Sequence, residues 1–257
     1  MPDDDLDLAL ALAHDAGRLL VDCFGRVEME LKAENDAVTA ADRASEALIA
    51  RRLRDLRPGD GLVAEEGTTI NPAASRQWVV DPLDATNNYA HRFWIFAVSI
   101  ALVENGEPAV GVVYCPFLQQ TFSATRAGGA FLNGRPIRVS QTREMGRAIV
   151  ATGFPYARRT LARNNLAEFN RVTMAAQGVR RVGAATLDLC WTACGVWDGY
   201  WEFHLKPWDI AAGMLICREA GGTVTDLAGR PVNLTQPEIM ATNGHLHTTL
   251  LEILNRK

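Results

Sequence analysis

The sequence predicts a layered α/β fold, and three observations carry that prediction. Two helices with a single apolar face open the chain. A series of short β-rich segments follows, broken by Asn-Gly and Gly-Gly turns, and beyond about Gly146 strands alternate with helices. At 257 residues the chain can bury a substantial core. No Pro-, Gly- or Ser-rich linker interrupts it, so it reads as one unit over 1–257. An antiparallel-sheet lobe covers about 1–145 and an α/β lobe about 146–257.

From Asp5 to Cys23 apolar residues recur at helical spacing (Leu12, Ala16, Leu19, Leu20, Cys23), and Gly25 supplies the stop. A second helix is expected from Ala40 to about Leu56, with Thr39 as N-cap and Pro58-Gly59 as its end. Strands are expected at Gly61–Ala64, Gln77–Val80, Phe96–Val103, Ala109–Tyr114, Thr121–Ala124 and Ile137–Val139, with hairpin turns at Asn105-Gly106, Gly128-Gly129 and Asn133-Gly134. The second half predicts strands at Ala148–Thr152, Val179–Val182, Tyr200–Phe203, Thr223–Thr225 and Ile239–Ala241. Its helices are expected at Leu161–Gln177, Ala185–Val196 and Trp208–Ala220, with a closing helix to Leu254.

Composition narrows the function. Thirty acidic against 26 basic residues give a net charge of −4 with the basic residues scattered, which argues against a nucleic-acid partner. The apolar run Trp94–Val103 falls far short of the roughly 18 residues a membrane helix needs, and the Met-Pro-Asp-Asp-Asp start is anionic where a secretory signal is cationic. No membrane partner and a cytoplasmic location are expected. Five scattered cysteines in apolar stretches read as reduced buried thiols.

The segment that speaks to chemistry runs from Trp78 to Asn88. An apolar strand enters Asp81-Pro82, and a type I turn there brings Asp81 and Asp84 within about 7 Å of each other. Two bare charges about 5 Å apart at an effective dielectric of about 20 repel by about 3 kcal/mol, and a cation removes that cost. All-oxygen ligation suits Mg²⁺, Mn²⁺ or Ca²⁺. Solvated turn and cap roles for the same residues compete with this reading. Further carboxylates follow apolar runs in the same way at Glu65-Glu66, Glu202 and Asp209, the last also a candidate helix N-cap.

These residues resemble the inositol monophosphatase family of Mg²⁺-dependent, lithium-sensitive phosphatases. The family signature Asp-Pro-(Ile/Leu)-Asp-Gly-Thr-x-Asn-Phe is matched by Asp81-Pro82-Leu83-Asp84-Ala85-Thr86-Asn87-Asn88-Tyr89. The distal signature Trp-Asp-x-Ala-Ala-Gly stands unaltered at Trp208–Gly213, and Glu65-Glu66 and Glu219–Gly222 match as well. The resemblance spans the chain and implies an alternating α-β-α-β-α sandwich of the type shared with fructose-1,6-bisphosphatase, in a homodimer.

Carried over by position, the resemblance implies that Glu65, Asp81 and the Leu83 carbonyl hold one Mg²⁺ (Mn²⁺ being the alternative), while Asp81, Asp84 and Asp209 hold a second. A weaker third ion would lie near Glu65, beside a loop carrying Lys32 and Asp36. Thr86 with Asp42 would orient and help deprotonate the attacking water, with Glu65 beside it. Asp42 has a second role open to it as the partner of Thr39 in a capping box. If a short helix begins after Asp84, the N–H groups of Ala85 and Thr86 cradle the phosphate. The sugar or alcohol would meet Glu202, Asp84, Asp209 and the Gly183-Ala184-Ala185 turn.

Ala85 stands where the family usually has glycine. Alanine tolerates positive φ poorly, so the expectation is that Ala85 sits at negative φ with its N–H still aimed at the phosphate. The resulting function is hydrolysis of a small phosphate monoester, inositol monophosphate first. Fructose 1,6-bisphosphate, adenosine 3′,5′-bisphosphate and histidinol phosphate are alternative substrates, and a weakly active protein-binding regulator is an alternative of another class.

Overall fold

A helix that is apolar all round needs cover on every side, and this chain has two of them: α5 (Ala185–Ala193), every residue of which is buried, and α6 (Pro207–Glu219), buried from Ile210 to Cys217. They form the middle layer of the molecule in the computed structural model, which describes residues 2–33, 36–235 and 238–256; the side chains of 2–4, 29, 31–33, 36 and 37 lie outside the described part.

On one side of α5 and α6 lies an eight-stranded sheet. Its strands in chain order are β3 (Gly61–Ala64), β4 (Thr69–Ile70), β5 (Arg76–Asp84), β6 (Ala97–Glu104), β7 (Glu107–Cys115), β8 (Gln120–Thr125), β9 (Gly129–Leu132) and β10 (Arg135–Pro136). They are ordered β10-β9-β8-β7-β6-β5-β3-β4, antiparallel throughout except for the parallel β3/β5 pair. The amphipathic pair α1 (Pro2–Cys23) and α2 (Ala40–Leu56) packs on this sheet and on each other. Close approach of α6 needs Gly111 in β7, where an added Cβ would lie 2.8 Å from the Ala212 carbonyl oxygen.

On the other side is a five-stranded sheet of β11 (Ile149–Thr152), β12 (Gly178–Arg180), β13 (Gly199–Glu202), β14 (Thr223–Thr225) and β15 (Ile239–Thr242), ordered β12-β11-β13-β15-β14. Both its faces are apolar, and the period-2 rule sorts them. Ala151, Tyr200 and Ala241 join the main core with α5 and α6, whereas Val150, Trp201 and Met240 join a second core. That second core is closed by α4 (Leu166–Ala175) and α7 (His247–Asn255). The layers therefore run helix, sheet, helix, sheet, helix, as expected.

Several expected boundaries moved, each for a local reason. Ile137–Val139 is not a strand: the Asn133-Gly134 turn pairs Gly129–Leu132 with Arg135–Pro136 instead. The helix expected from Leu161 starts at Leu166, because Asn165 is left-handed (φ 73°). Gly195 (φ 77°) follows the end of α5 at Ala193, short of Val196. The segment carrying Lys32 and Asp36, expected as a loop, is a hairpin of β1 (Met29–Ala33) and β2 (Asp36–Thr39); both side chains lie outside the described residues. All five cysteines are free thiols.

Candidate active site

Strand β5 is buried from Trp78 to Asp84, so its carboxylates arrive at the strand end already desolvated. Pairing with β6 becomes irregular between Asp81 and Asp84, and the Leu83 N–H donates to Asp81 Oδ1 (3.0 Å), which folds the two acids into one turn. The turn is gripped from outside, since Ser45 Oγ in α2 donates to the Pro82 carbonyl (2.9 Å). Directly after it comes α3 (Thr86–Ala90), the short helix that the sequence left conditional. Asn88 of α3 donates to the carbonyls of Ile95 (2.9 Å) and Val182 (3.1 Å), tying this helix to the Gly183 turn of the small-sheet half.

Glu65 lies just past β3, the parallel neighbour of β5, and its N–H donates to the Val80 carbonyl (3.2 Å). The turn that carries it is held by Glu46 of α2, whose carboxylate accepts from the Glu66 N–H (2.6 Å) and the Thr68 N–H (2.9 Å). Asp209 is in the first turn of α6, and accepts from the Lys206 N–H (2.7 Å). Glu65, Asp81, Asp84 and Asp209 all line one cavity of about 260 Å³, together with the half-buried Glu202 at the end of β13. Gly183, Ala185, Ala85, Thr86 and Leu83 line it too; Ala184 is buried behind the turn.

Asp42 makes the capping box expected of it and also accepts a hydrogen bond from Thr86. One carboxylate oxygen, Oδ2, accepts from the Thr39 N–H (2.8 Å) and hydroxyl (2.6 Å) as the capping box of α2. The other, Oδ1, accepts from Thr86 Oγ (2.8 Å), which also lies 3.1 Å from the Leu83 carbonyl. Burial pushes the Asp42 carboxyl above its ordinary range, and the bonds from Thr39 and Thr86 hold it back.

The four cavity carboxylates repel one another. Burial above all, then the charges of Glu65, Asp84 and Asp209, push Asp81 well up; burial and the Glu65 charge do the same to Asp209. Burial lifts Asp84 to about 6 against bonds from Thr186, and lifts Glu202 to about 7 against the bond from Tyr200 and the charge of Arg181. Oxygen-only donors crowded this closely fit a hard divalent cation. Among the described residues the side chains are not gathered tightly enough to enclose an ion as they stand. Asp84 Oδ2 is turned instead to Thr186, accepting from its hydroxyl (2.5 Å) and its N–H (3.0 Å).

Ala85 departs from expectation. It adopts φ 73°, ψ 46°, left-handed rather than negative in φ, at the N-cap of α3. The turn needs that conformation to swing the chain from β5 into α3, and the alanine is carried there by its surroundings. Sequence reasoning also missed Thr186, which bonds Asp84 directly, and Ser45 and Glu46, which hold the backbone of the turns that carry the acids. Only the Gly183-x-x-Thr186 entry into α5 offered any hint of Thr186.

The inositol monophosphatase family model matches residues 2–257. The chain belongs to the inositol monophosphatase family. The family is known to use divalent metal ions, and this chain is a phosphoric monoester hydrolase. It is 42% identical over 255 residues to an inositol-1-monophosphatase of Synechocystis, covering 97% of this chain and 88% of that one. A fructose-1,6-bisphosphatase/inositol-1-monophosphatase of Aquifex aeolicus is 37% identical over 254 residues, covering 98% and 95%. The crystal structure of the extragenic suppressor protein suhB from Bartonella henselae superposes with a TM-score of 0.92 at 38% identity, covering 98% and 99%. No helix among the described residues is long and apolar enough to cross a membrane.

Proposed function

We propose that this chain hydrolyses small phosphate monoesters of polyols or sugars, inositol monophosphate first among them, with Mg²⁺ as cofactor and Mn²⁺ as its substitute. The observation that carries the reading is the 2.8 Å Thr86–Asp42 hydrogen bond set beside the cleft that gathers Glu65, Asp81, Asp84 and Asp209. Glu65, Asp81 and the Leu83 carbonyl would hold one ion, and Asp81, Asp84 and Asp209 a second. Bound there, the ions supply positive charge for the attacking and leaving oxygens of the phosphate.

The chain's own part is proton handling and orientation. Thr86 gives its hydroxyl proton to Asp42 Oδ1 and accepts one from the attacking water, so that the proton ends on a carboxyl whose affinity for it burial has raised. Glu65 is a second acceptor for that water. The Ala85 and Thr86 N–H groups orient the phosphate. Glu202 and the Gly183-Ala185 turn receive the alcohol, and Lys32 and Asp36 attend a third, weaker ion. Lithium sensitivity and a homodimeric state complete the reading by family likeness, and a cytoplasmic site of action by the anionic start and the short apolar run.

A bisphosphate is the second reading. Arg181 and Lys206 line the same cavity, and among the described residues neither has a carboxylate paired with its side chain. One assay separates the readings: inositol 1-phosphate, fructose 1,6-bisphosphate, adenosine 3′,5′-bisphosphate and histidinol phosphate, each with Mg²⁺ and with excess EDTA. Fastest Mg²⁺-dependent release of phosphate from inositol 1-phosphate is expected. Undiminished turnover in EDTA would overturn the mechanism, and no turnover of any ester would leave the regulator.

A further inference from the structure

On the proposed reading Glu202 is among the groups that receive the alcohol, and the structure explains how that carboxylate is held. Its Oε2 accepts from the Tyr200 hydroxyl (2.6 Å) two residues earlier on the same face of β13. Its other side rests against the backbone of Gly153, at the end of the neighbouring parallel strand β11. A Cβ added at Gly153 would fall 2.1 Å from both Glu202 carboxylate oxygens. Gly153 is not in the left-handed region, so glycine is needed there for space and not for backbone freedom.

The separation of the two strand ends is fixed by a buried side chain. Asn165, fully buried, donates from Nδ2 to Thr152 Oγ (2.8 Å) and to the Gly153 carbonyl (2.6 Å), and accepts at Oδ1 from Trp201 Nε1 (2.7 Å). Thr152 Oγ in turn donates to the Trp201 carbonyl (2.6 Å). Every polar atom of the amide has a partner, and its orientation is therefore unique. The two residues bracket the stretch 153–165, whose Phe154, Pro155 and Tyr156 line the cavity.

We propose that Gly153 and Asn165 are positioning residues for Glu202: Asn165 sets the distance between the ends of β11 and β13, and the bare Gly153 leaves the slot in which the carboxylate sits. The slot selects substrates whose alcohol portion offers hydroxyls to Glu202 over esters with none. This rests on the reading that Glu202 receives the alcohol.

The test is the ratio of kcat/KM for inositol 1-phosphate to that for 4-nitrophenyl phosphate, in Gly153→Ala, Asn165→Asp, Glu202→Ala and the Gly153→Ala/Glu202→Ala double variant, all with Mg²⁺. Since the carboxylate is the flexible partner in the clash, Gly153→Ala should fold and displace it. The ratio is expected to fall by about tenfold in each single variant and no further in the double variant. Melting temperatures give a second cycle: Gly153→Ala should cost less in the Glu202→Ala background than alone. An unchanged ratio in Glu202→Ala would refute the alcohol role itself. A shifted ratio there but not in Gly153→Ala, or a double variant that loses the product of the two single effects, would overturn the positioning role alone. If Gly153→Ala proves insoluble, Asn165→Asp decides, because it removes both donated bonds while keeping the acceptor for Trp201; equal losses on both substrates would count against the proposal.

Discussion

The two ends of the cleft are built differently. The acidic end centres on one local segment: Asp81, Asp84, Ala85 and Thr86 fall within six residues on one strand-turn-helix, Glu65 and Asp209 join it from the end of β3 and the first turn of α6, and α2 braces it through Asp42, Ser45 and Glu46. The opposite end is assembled from the ends of β11 and β13, the Gly183 turn and the 153–165 stretch, and is held by a few side-chain bonds between them. A locally specified end suits chemistry that does not vary with the substrate. An end assembled from loops suits recognition that does, because its shape can change without disturbing the strand that carries the acids.

If that division holds, substitutions at the acidic end should strike every substrate alike. Asp84→Asn and Asp209→Asn take charge from the proposed metal ligands and should each lower kcat by about a thousandfold or more, with circular dichroism unchanged. Asparagine preserves the shape of both side chains, and Asp209 keeps an acceptor for the Lys206 N–H. Near-normal kcat in both variants would break the comparison at its root. Thr86→Val should cost about a hundredfold in kcat by cutting the proton path to Asp42, with KM little changed. A loss confined to inositol 1-phosphate would move Thr86 to the recognition end.

Metal binding sharpens the same contrast through stability. A carboxyl whose folded-state pKa is raised stabilises the fold when protonated, and that contribution is lost as pH climbs through the raised value. For Asp84 the rise from 3.8 to about 6 corresponds to about 3 kcal/mol. The metal-free protein therefore gives up this stabilisation between about pH 4 and pH 6, and Asp81 and Asp209 add to the loss in the same direction. If Mg²⁺ is held by the deprotonated acids, as proposed, the increase in melting temperature it produces should grow from pH 5 to pH 8. At about 100 times the dissociation constant it should reach about 5–10 °C. An increase independent of pH would mean that these carboxyls are not the ligands.

How far the sequence could be read follows the same division. The Asp81–Thr86 turn was legible because the Asp-Pro dipeptide fixes an extended residue before a turn and because two acids at a strand end demand an explanation. The capping role of Asp42 was legible from its spacing to Thr39, and its bond to Thr86, 44 residues away, came only by likeness to the family. Glu46, Thr186 and Asn165 were not legible. Each acts through bonds to groups distant in the chain, and a glutamate, threonine or asparagine in a helix or loop looks like surface until the packing is known. The strand misplaced at Ile137–Val139 failed for a related reason: its apolar alternation was real, but the hairpin turn at Asn133-Gly134 set the pairing.

The smallest expected effect concerns Ala85, the one position in the acidic end where the backbone works against the side chain. An alanine held at φ 73° bears about 1–2 kcal/mol of steric cost that glycine does not. Replacing it with glycine relieves that strain but returns about 0.4–1 kcal/mol of freedom to the unfolded chain, and it forfeits the contacts of a nearly buried methyl. The opposing terms nearly cancel, so Ala85→Gly should leave the melting temperature within about 2 °C. The left-handed turn is already in place, so the N–H points where a glycine would point it, and kcat/KM should stay within about threefold. A gain of tenfold or more would mean that the methyl crowds the phosphate, placing about 1.4 kcal/mol of transition-state binding under the control of one Cβ. A fall in melting temperature of several degrees would instead show that the packing of that methyl outweighs the strain, and that the acidic end holds its shape through side-chain contact as much as through the turn.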